Sequence, residues 1–302
     1  RFSSRRRHTR SCILSRGLGD VYKRQTLHLA IVCENTVGRP ICACGEHGFS
    51  CLVRTDTGTW LFDTGSGQTL LGNLDALEID ASQIDAVILS HGHYDHCGGL
   101  LPLLQKIGPR PVYSHSQIFS ERFWQGQHEE RDISLPHTRS ELESAGATFH
   151  YLDSFAGVAP ELYFSGSIPR LEPLEKGDPH LVQRSAKGEG WLDDEFFDDA
   201  ALAIETEKGL VVLLGCAHSG LINTVEHFRR ELGGPRIHAI IGGTHLGPAS
   251  DEQFAATVDY LKRLDFDRLG VSHCTGQVRS AQLYVHFPNK VFFANVGSTL
   301  RI

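Results

Sequence analysis

Methionine is absent from all 302 residues, and no run of 18 or more apolar residues occurs. The first absence leaves no initiator, as expected of a truncated gene. The second excludes a hydrophobic helix spanning a bilayer. Eight cysteines occur without one C-x-x-C pair. The expectation is reduced thiols in a cytoplasmic protein, with Cys42 and Cys44 two apart and on one side if extended. No internal repeat or low-complexity tract is visible.

The first 25 residues lack helical or strand periodicity and the apolar stretch of a secretory signal. They resemble translated adapter-derived sequence, so they are expected to be non-native or disordered; a basic targeting arm is the alternative. They hold eight of the 29 Lys and Arg and one of the 36 Asp and Glu, which leaves 21 basic against 35 acidic residues, a net of −14. An acidic body disfavours broad nucleic-acid binding, which needs a basic surface. A small-molecule substrate is compatible; the oligomeric state is left open.

Residues 26–302 read as one domain of mixed α and β. Strands are expected at Leu27–Cys33, Phe49–Thr55, Thr59–Phe62, Ile84–Leu89, Pro111–His115 and Thr148–Leu152. Later ones are expected at Ala200–Glu205, Gly209–Leu214, Ile237–Ile241, Leu269–Ser272 and Val291–Ala294. Helical spacing covers Gln68–Leu77, Leu100–Lys106, Gln117–Trp124, Thr138–Ala145, Leu221–Leu232, Asp251–Leu264 (with Ser250 as N-cap) and Ala281–His286. Residues 157–199 read as an irregular insertion near the site, with a hairpin around Glu161–Gly166.

The chemistry gathers in Leu89-Ser-His-Gly-His-Tyr-Asp-His-Cys-Gly-Gly99, where His91, His93, Asp95 and His96 fall within six residues after the apolar run Ala86–Leu89. In extended backbone His91 and His93 point to one side and can grip one metal. Asp95 and His96 follow the turn and can face a second. Imidazole and carboxylate suit zinc, or iron or manganese. Two more histidines, His218 and His273, follow buried strands beside glycine, as does His245 in Gly242-Gly-Thr-His-Leu246.

His91-x-His93-x-Asp95-His96 resembles the signature of the metallo-β-lactamase fold superfamily of metal-dependent hydrolases. Further segments resemble its 7,8-dihydropterin-6-yl-methyl-4-(β-D-ribofuranosyl)aminobenzene 5′-phosphate synthase-like branch. They are Glu46-His-Gly-Phe-Ser50, Leu61-Phe-Asp-Thr-Gly65, Gly215-Cys-Ala-His-Ser-Gly220, Ile241–Leu246 and Ser272-His-Cys-Thr-Gly276. The resemblance implies an αββα sandwich. It assigns His218 to the metal of His91 and His93, and His273 to the metal of Asp95 and His96. It makes Asp63 a support that orients a ligand imidazole. Many members carry a bridging Asp where this chain has Gly215-Cys216. Cys216 either ligates or, as favoured on sequence, is a small buried residue. His245 contacts substrate or metal, or is structural. Arg170, in a motif resembling the branch, is a candidate to hold a phosphate or carboxylate, with a solvated surface position as the alternative; His47 and His115 read as structural.

The expected cofactor is Zn2+, one or two ions, with Mn2+ or Fe2+ as alternatives. A bound zinc lowers the pKa of its water from about 15.7 towards ~7. Asp95, as ligand and hydrogen-bond acceptor, is the catalytic candidate. The expected activity is hydrolysis of a small anionic substrate, a phosphoester or phosphodiester. The alternatives are a lactone, thioester or amide, or a non-catalytic metal-binding module.

Overall fold

The hairpin of β13 (Ala201–Thr206) and β14 (Gly209–Leu214) shows how the sequence builds layers. Alternate residues of a strand face opposite sides. Ala201, Ala203, Leu210, Val212 and Leu214 pack outward against helices. Leu202, Ile204, Val211 and Leu213 pack inward against a second sheet. Both faces are apolar, so these strands read as continuous hydrophobic runs.

The computed structural model describes residues 26–184 and 190–302. The expectation for residues 1–25 lies outside the described residues. The first sheet has the order β18-β1-β2-β3-β4-β5-β8. Its strands are β1 (His28–Cys33), β2 (Ser50–Thr55), β3 (Gly58–Phe62), β4 (Ala86–Ile88), β5 (Arg110–Ser114), β8 (Ala147–Tyr151) and β18 (Thr299–Arg301). The second has the order β17-β16-β15-β14-β13-β10-β9. It adds β9 (Ala156–Ala159), β10 (Leu162–Phe164), β15 (Ile237–Gly243), β16 (Phe266–Ser272) and β17 (Val291–Phe293).

Helices α1 (Leu70–Ala76), α3 (Leu100–Ile107) and α4 (Arg139–Ser144) cover the first sheet; Leu70, Leu74, Leu100, Leu103 and Leu142 share a core with its outer face. Helices α5 (Leu221–Glu231), α6 (Asp251–Arg263) and α7 (Gln277–His286) cover the second and supply the crossovers between its parallel strands. A short α2 (Tyr94–Cys97) completes the set. This is the αββα sandwich that the resemblance implied. The Ser250 side chain caps α6 by accepting from Gln253 N, and Thr138 with Glu141 forms a capping box at α4. No described helix is long and apolar enough to cross a membrane.

Two expectations are corrected and a third is filled in. Gln117–Trp124 is a 3-10 turn at Ser116–Phe119 followed by strand β6 (Arg122–Gln125), because Phe123 and Trp124 sit in a ladder with β11 (Leu181–Arg184). Helix α7 starts at Gln277, four residues early. The stretch 157–199 is irregular over most of its described length, as expected, but carries short strands. There β9 and β10, turning at Pro160-Glu161, close the edge of the second sheet, and β11 and β12 (Trp191–Asp193) join β6 and β7 (Glu130–Asp132) in a small third sheet. Its residues 185–189 lie outside the described residues. Cys42 and Cys44 are exposed in a loop; the seven described cysteines are free.

The register sets the site. Leu214, Gly242 and Val271 stand side by side across β14, β15 and β16. The residues just beyond, Cys216, His218, His245 and His273, therefore emerge at one edge. Phe62 pairs with Ile88 in the facing sheet, so Asp63 and the His91 loop emerge at the same edge. Ligand sites of α/β sheets gather at the carboxyl ends of parallel strands.

Candidate metal centre

The expected residues converge, with one exception. His91 Nε2 stands 3.0 Å from His93 Nδ1 and 3.3 Å from His218 Nε2. The three form one group able to hold a metal ion. Beside it, His96 Nε2 is 3.3 Å from His273 Nε2, which is 3.3 Å from Asp95 Oδ2. The His91 and His96 ring centroids are 4.2 Å apart, so the two sets adjoin. All six side chains are buried.

Several groups fix these rings. Asp63 accepts from Ser90 N, Ser90 Oγ and His96 Nδ1, each at 2.7 Å. The proton of His96 is thereby held at Nδ1, and its Nε2 lone pair faces the site. Ser90 Oγ also lies 2.9 Å from His91 Nδ1. Asn35 Oδ1 faces His273 Nδ1 at 2.9 Å, and Glu34 accepts from His273 N at 2.7 Å. Asp198 accepts from Gly92 N at 2.9 Å and is itself held by the fully buried Arg122, which also bonds Asp194. The Phe196 ring stacks on His218, with centroids 4.2 Å apart.

Burial pushes His91, His93 and His218 well below the usual histidine value, so these imidazoles stay in the neutral, ligating form. Burial also pulls on His96, but the Asp63 and Asp95 carboxylates lift it above the usual value. Asp95 is raised by burial, yet His96, His273 and His47 hold it well below the carboxylate range. Three neutral rings whose His91 Nε2, His93 Nδ1 and His218 Nε2 atoms crowd one point fit a cation better than a closed hydrogen-bond network.

A cavity of about 360 Å³ opens over both sets, lined among others by His93, Asp95, His218, His245 and His273. Its far wall is Trp124, Arg131, Ile133 and Leu181, from the small sheet and its flank. Tyr94 N donates to Ile133 O, and His93 pairs with Ser134, which ties that wall to the His91 loop. His245 stacks obliquely on His218 with centroids 4.3 Å apart. The exception is Arg170: its guanidinium reaches the main-chain oxygen of Glu195, and it does not line this cavity. His115 bonds Gln117 N and Ser167, as a structural residue would. His47, read as structural, instead reaches Asp95 Oδ2 at 3.1 Å. Asn35, Glu34, Asp198, Arg122 and Cys274 were not anticipated; only Cys274, next to His273 at a strand end, carried a signal.

The model of the metallo-β-lactamase superfamily matches residues 45–221. This chain belongs to that superfamily. A 7,8-dihydropterin-6-methyl-4-(β-D-ribofuranosyl)-aminobenzene-5′-phosphate synthase of Methanocaldococcus jannaschii is 31% identical over 244 residues, covering 76% of this chain and 81% of that relative. Among solved structures, Tm1679, described as a metal-dependent hydrolase of the β-lactamase superfamily, is 25% identical with a TM-score of 0.76, covering 91% of this chain and 99% of that one. Zn(2+)-bound PqqB from Methylobacterium extorquens shares the fold at 16% identity, with a TM-score of 0.55 and coverage of 91% and 100%. Superfamily members are typically enzymes and usually bind metal ions, and the His, Cys and Asp clusters of this chain stand where its strands end.

Proposed function

We propose that this metallo-β-lactamase superfamily member is a zinc-dependent hydrolase of a small anionic substrate, a phosphoester or phosphodiester. The observation that carries the proposal is two adjoining donor sets over one cavity: His91, His93 and His218 at ligand spacing, and His273 Nε2 at 3.3 Å from both His96 Nε2 and Asp95 Oδ2. His91, His93 and His218 would hold one ion, and Asp95, His96 and His273 the other. Ions bound there supply Lewis acidity, a water of lowered pKa, and charge opposite the negative charge that develops during attack.

The chain's own groups do the rest. Asp63 and Asn35 keep protons at the Nδ1 atoms of His96 and His273. Asp95, held ionised by its neighbours, offers Oδ2 as the acceptor at the cavity floor. His245, with neither ring nitrogen partnered, faces the substrate. Arg131 on the opposite wall provides a cation for a phosphate or carboxylate, the role expected of Arg170. Trp124 and Leu181 exclude water. The name of the M. jannaschii relative includes a 5′-phosphate, which favours a phosphorylated, pterin-type compound.

Turnover of bis(p-nitrophenyl) phosphate, beside a lactone and a thioester, tests the proposal. Phosphodiester turnover lost on chelation and restored by zinc is expected. Metal-sensitive turnover of only the lactone or thioester would reassign the bond, and none on any substrate would overturn the hydrolase reading.

A further inference from the structure

Cys216 does not sit in apolar surroundings. Its sulfur is 3.1 Å from His96 Nε2. It falls in a metal-competent group with His91 and His96, in another with His218 and His245, and in a third with His273 and Cys274, the ligand atoms of each within 4.8 Å of one another. These histidines come from both donor sets. Two ligands of one tetrahedral zinc, with bonds of about 2.3 Å to sulfur and about 2.0 Å to nitrogen, stand roughly 3.5 Å apart. The sulfur meets that spacing to His96 and lies within 4.8 Å of the ligand atoms of His91, His218 and His273. His245, whose ring nitrogens both lack partners, offers a ligand atom within 4.8 Å of it.

The approach is built into the strand ends. A Cβ on Gly215 would stand 2.3 Å from Ser90 Oγ, and one on Gly243 would stand 2.6 Å from Cys274 Sγ. Only glycine at these positions lets the Cys216 turn and the Cys274 loop close on the histidines.

We propose that the Cys216 sulfur is a ligand shared by the two metal positions, doing with a thiolate what a bridging carboxylate does in other members. Cys216 is buried, as favoured on sequence; the proposal adds the ligation that was the alternative. On binding, the thiol proton passes to solvent as the sulfur–metal bonds form, and nothing is oxidised or reduced. The shared thiolate biases the site toward zinc over Mn2+, because soft sulfur prefers the softer ion. The proposal rests on the metal-centre reading above, but its test uses no substrate, so failure of the hydrolase proposal leaves it standing.

The test is cobalt titration of the full-length apo-protein under reducing, anaerobic conditions. Thiolate-to-cobalt absorption in the near ultraviolet is expected to grow with both the first and the second equivalent. C216S should lose that band and bind the second equivalent at least tenfold more weakly. C216D should bind both equivalents without the band, and serves if C216S fails to fold by circular dichroism. C274S should keep the band. An unchanged band in C216S or C216D would overturn the proposal. So would its absence from the wild-type protein with two cobalt ions bound, or its growth with one equivalent alone. A band lost only in C274S would move the ligand to Cys274.

Discussion

Asp63→Asn isolates the tautomer argument. The carboxylate is fully buried and accepts three hydrogen bonds of 2.7 Å, from Ser90 N, Ser90 Oγ and His96 Nδ1. Its φ is +59°, a left-handed conformation that Asn tolerates well, so the backbone should not object. The amide oxygen can still accept from Ser90 N. The amide nitrogen then faces Ser90 Oγ and His96 Nδ1 and can only donate. Ser90 Oγ has two lone pairs and can accept from the amide while still facing His91. His96 has no such escape: its Nδ1 must become an acceptor, which moves the ring proton to Nε2, the atom aimed at the metal. Loss of such an outer partner costs about 10- to 100-fold in metal affinity, or about 1.4–2.7 kcal/mol. Competition against a chromophoric chelator resolves the two affinities. The position served by His96, Asp95 and His273 should weaken by that factor, while that of His91, His93 and His218 changes by less than about threefold, on the order of the ~0.6 kcal/mol expected of an indirect effect. Equal weakening of both positions, or no change in either, would refute the tautomer reasoning.

Other perturbations follow from the same geometry. His93→Ala should remove about one metal per chain and abolish metal-dependent turnover while circular dichroism stays unchanged, since removing one ligand of a catalytic site disables it; full activity would show the site assignment to be wrong. Acidification should strip the two positions in order. An imidazole ligates only when its lone pair is free, so His96, with its raised pKa, loses to protons at higher pH than His91, His93 and His218, whose pKa values are depressed. Metal per chain measured from pH 7.5 down to 5.5 should fall in two steps, and simultaneous loss would contradict this order. Gly92→Ala should destabilise by about 1–3 kcal/mol through overpacking, because the added Cβ would stand 2.1 Å from Ile118 O and 2.7 Å from Arg122 Nη1; an unchanged thermal midpoint would show that the His91 loop is not so confined.

The sequence carried what is local. His91, His93, Asp95 and His96 are legible because one turn places them, and His218, His245 and His273 because each follows an apolar strand. The two long hairpins and α6 were legible from periodicity and the Ser250 cap. The groups that hold the ligands were not. Asn35 lies in a Gly-, Pro- and Cys-rich loop and meets His273 across 238 positions of sequence. Arg122 carries no signal in the sequence and is buried because Asp194 and Asp198 return to it from a distant segment. The small sheet was missed for a related reason. Its strands are three or four residues long, too short for a period to show, and their pairing joins segments far apart in the chain. The surroundings of Cys216 were not legible because the histidines around its sulfur come from both sheets.

Elemental analysis of metal per chain, on protein purified without chelator and then equilibrated with zinc, bears most directly on the central claim. Two donor sets over one cavity predict about two zinc ions per chain. One ion retained by both the wild-type protein and the His96→Ala variant would contradict the second position, and no ion would contradict the metal centre as a whole.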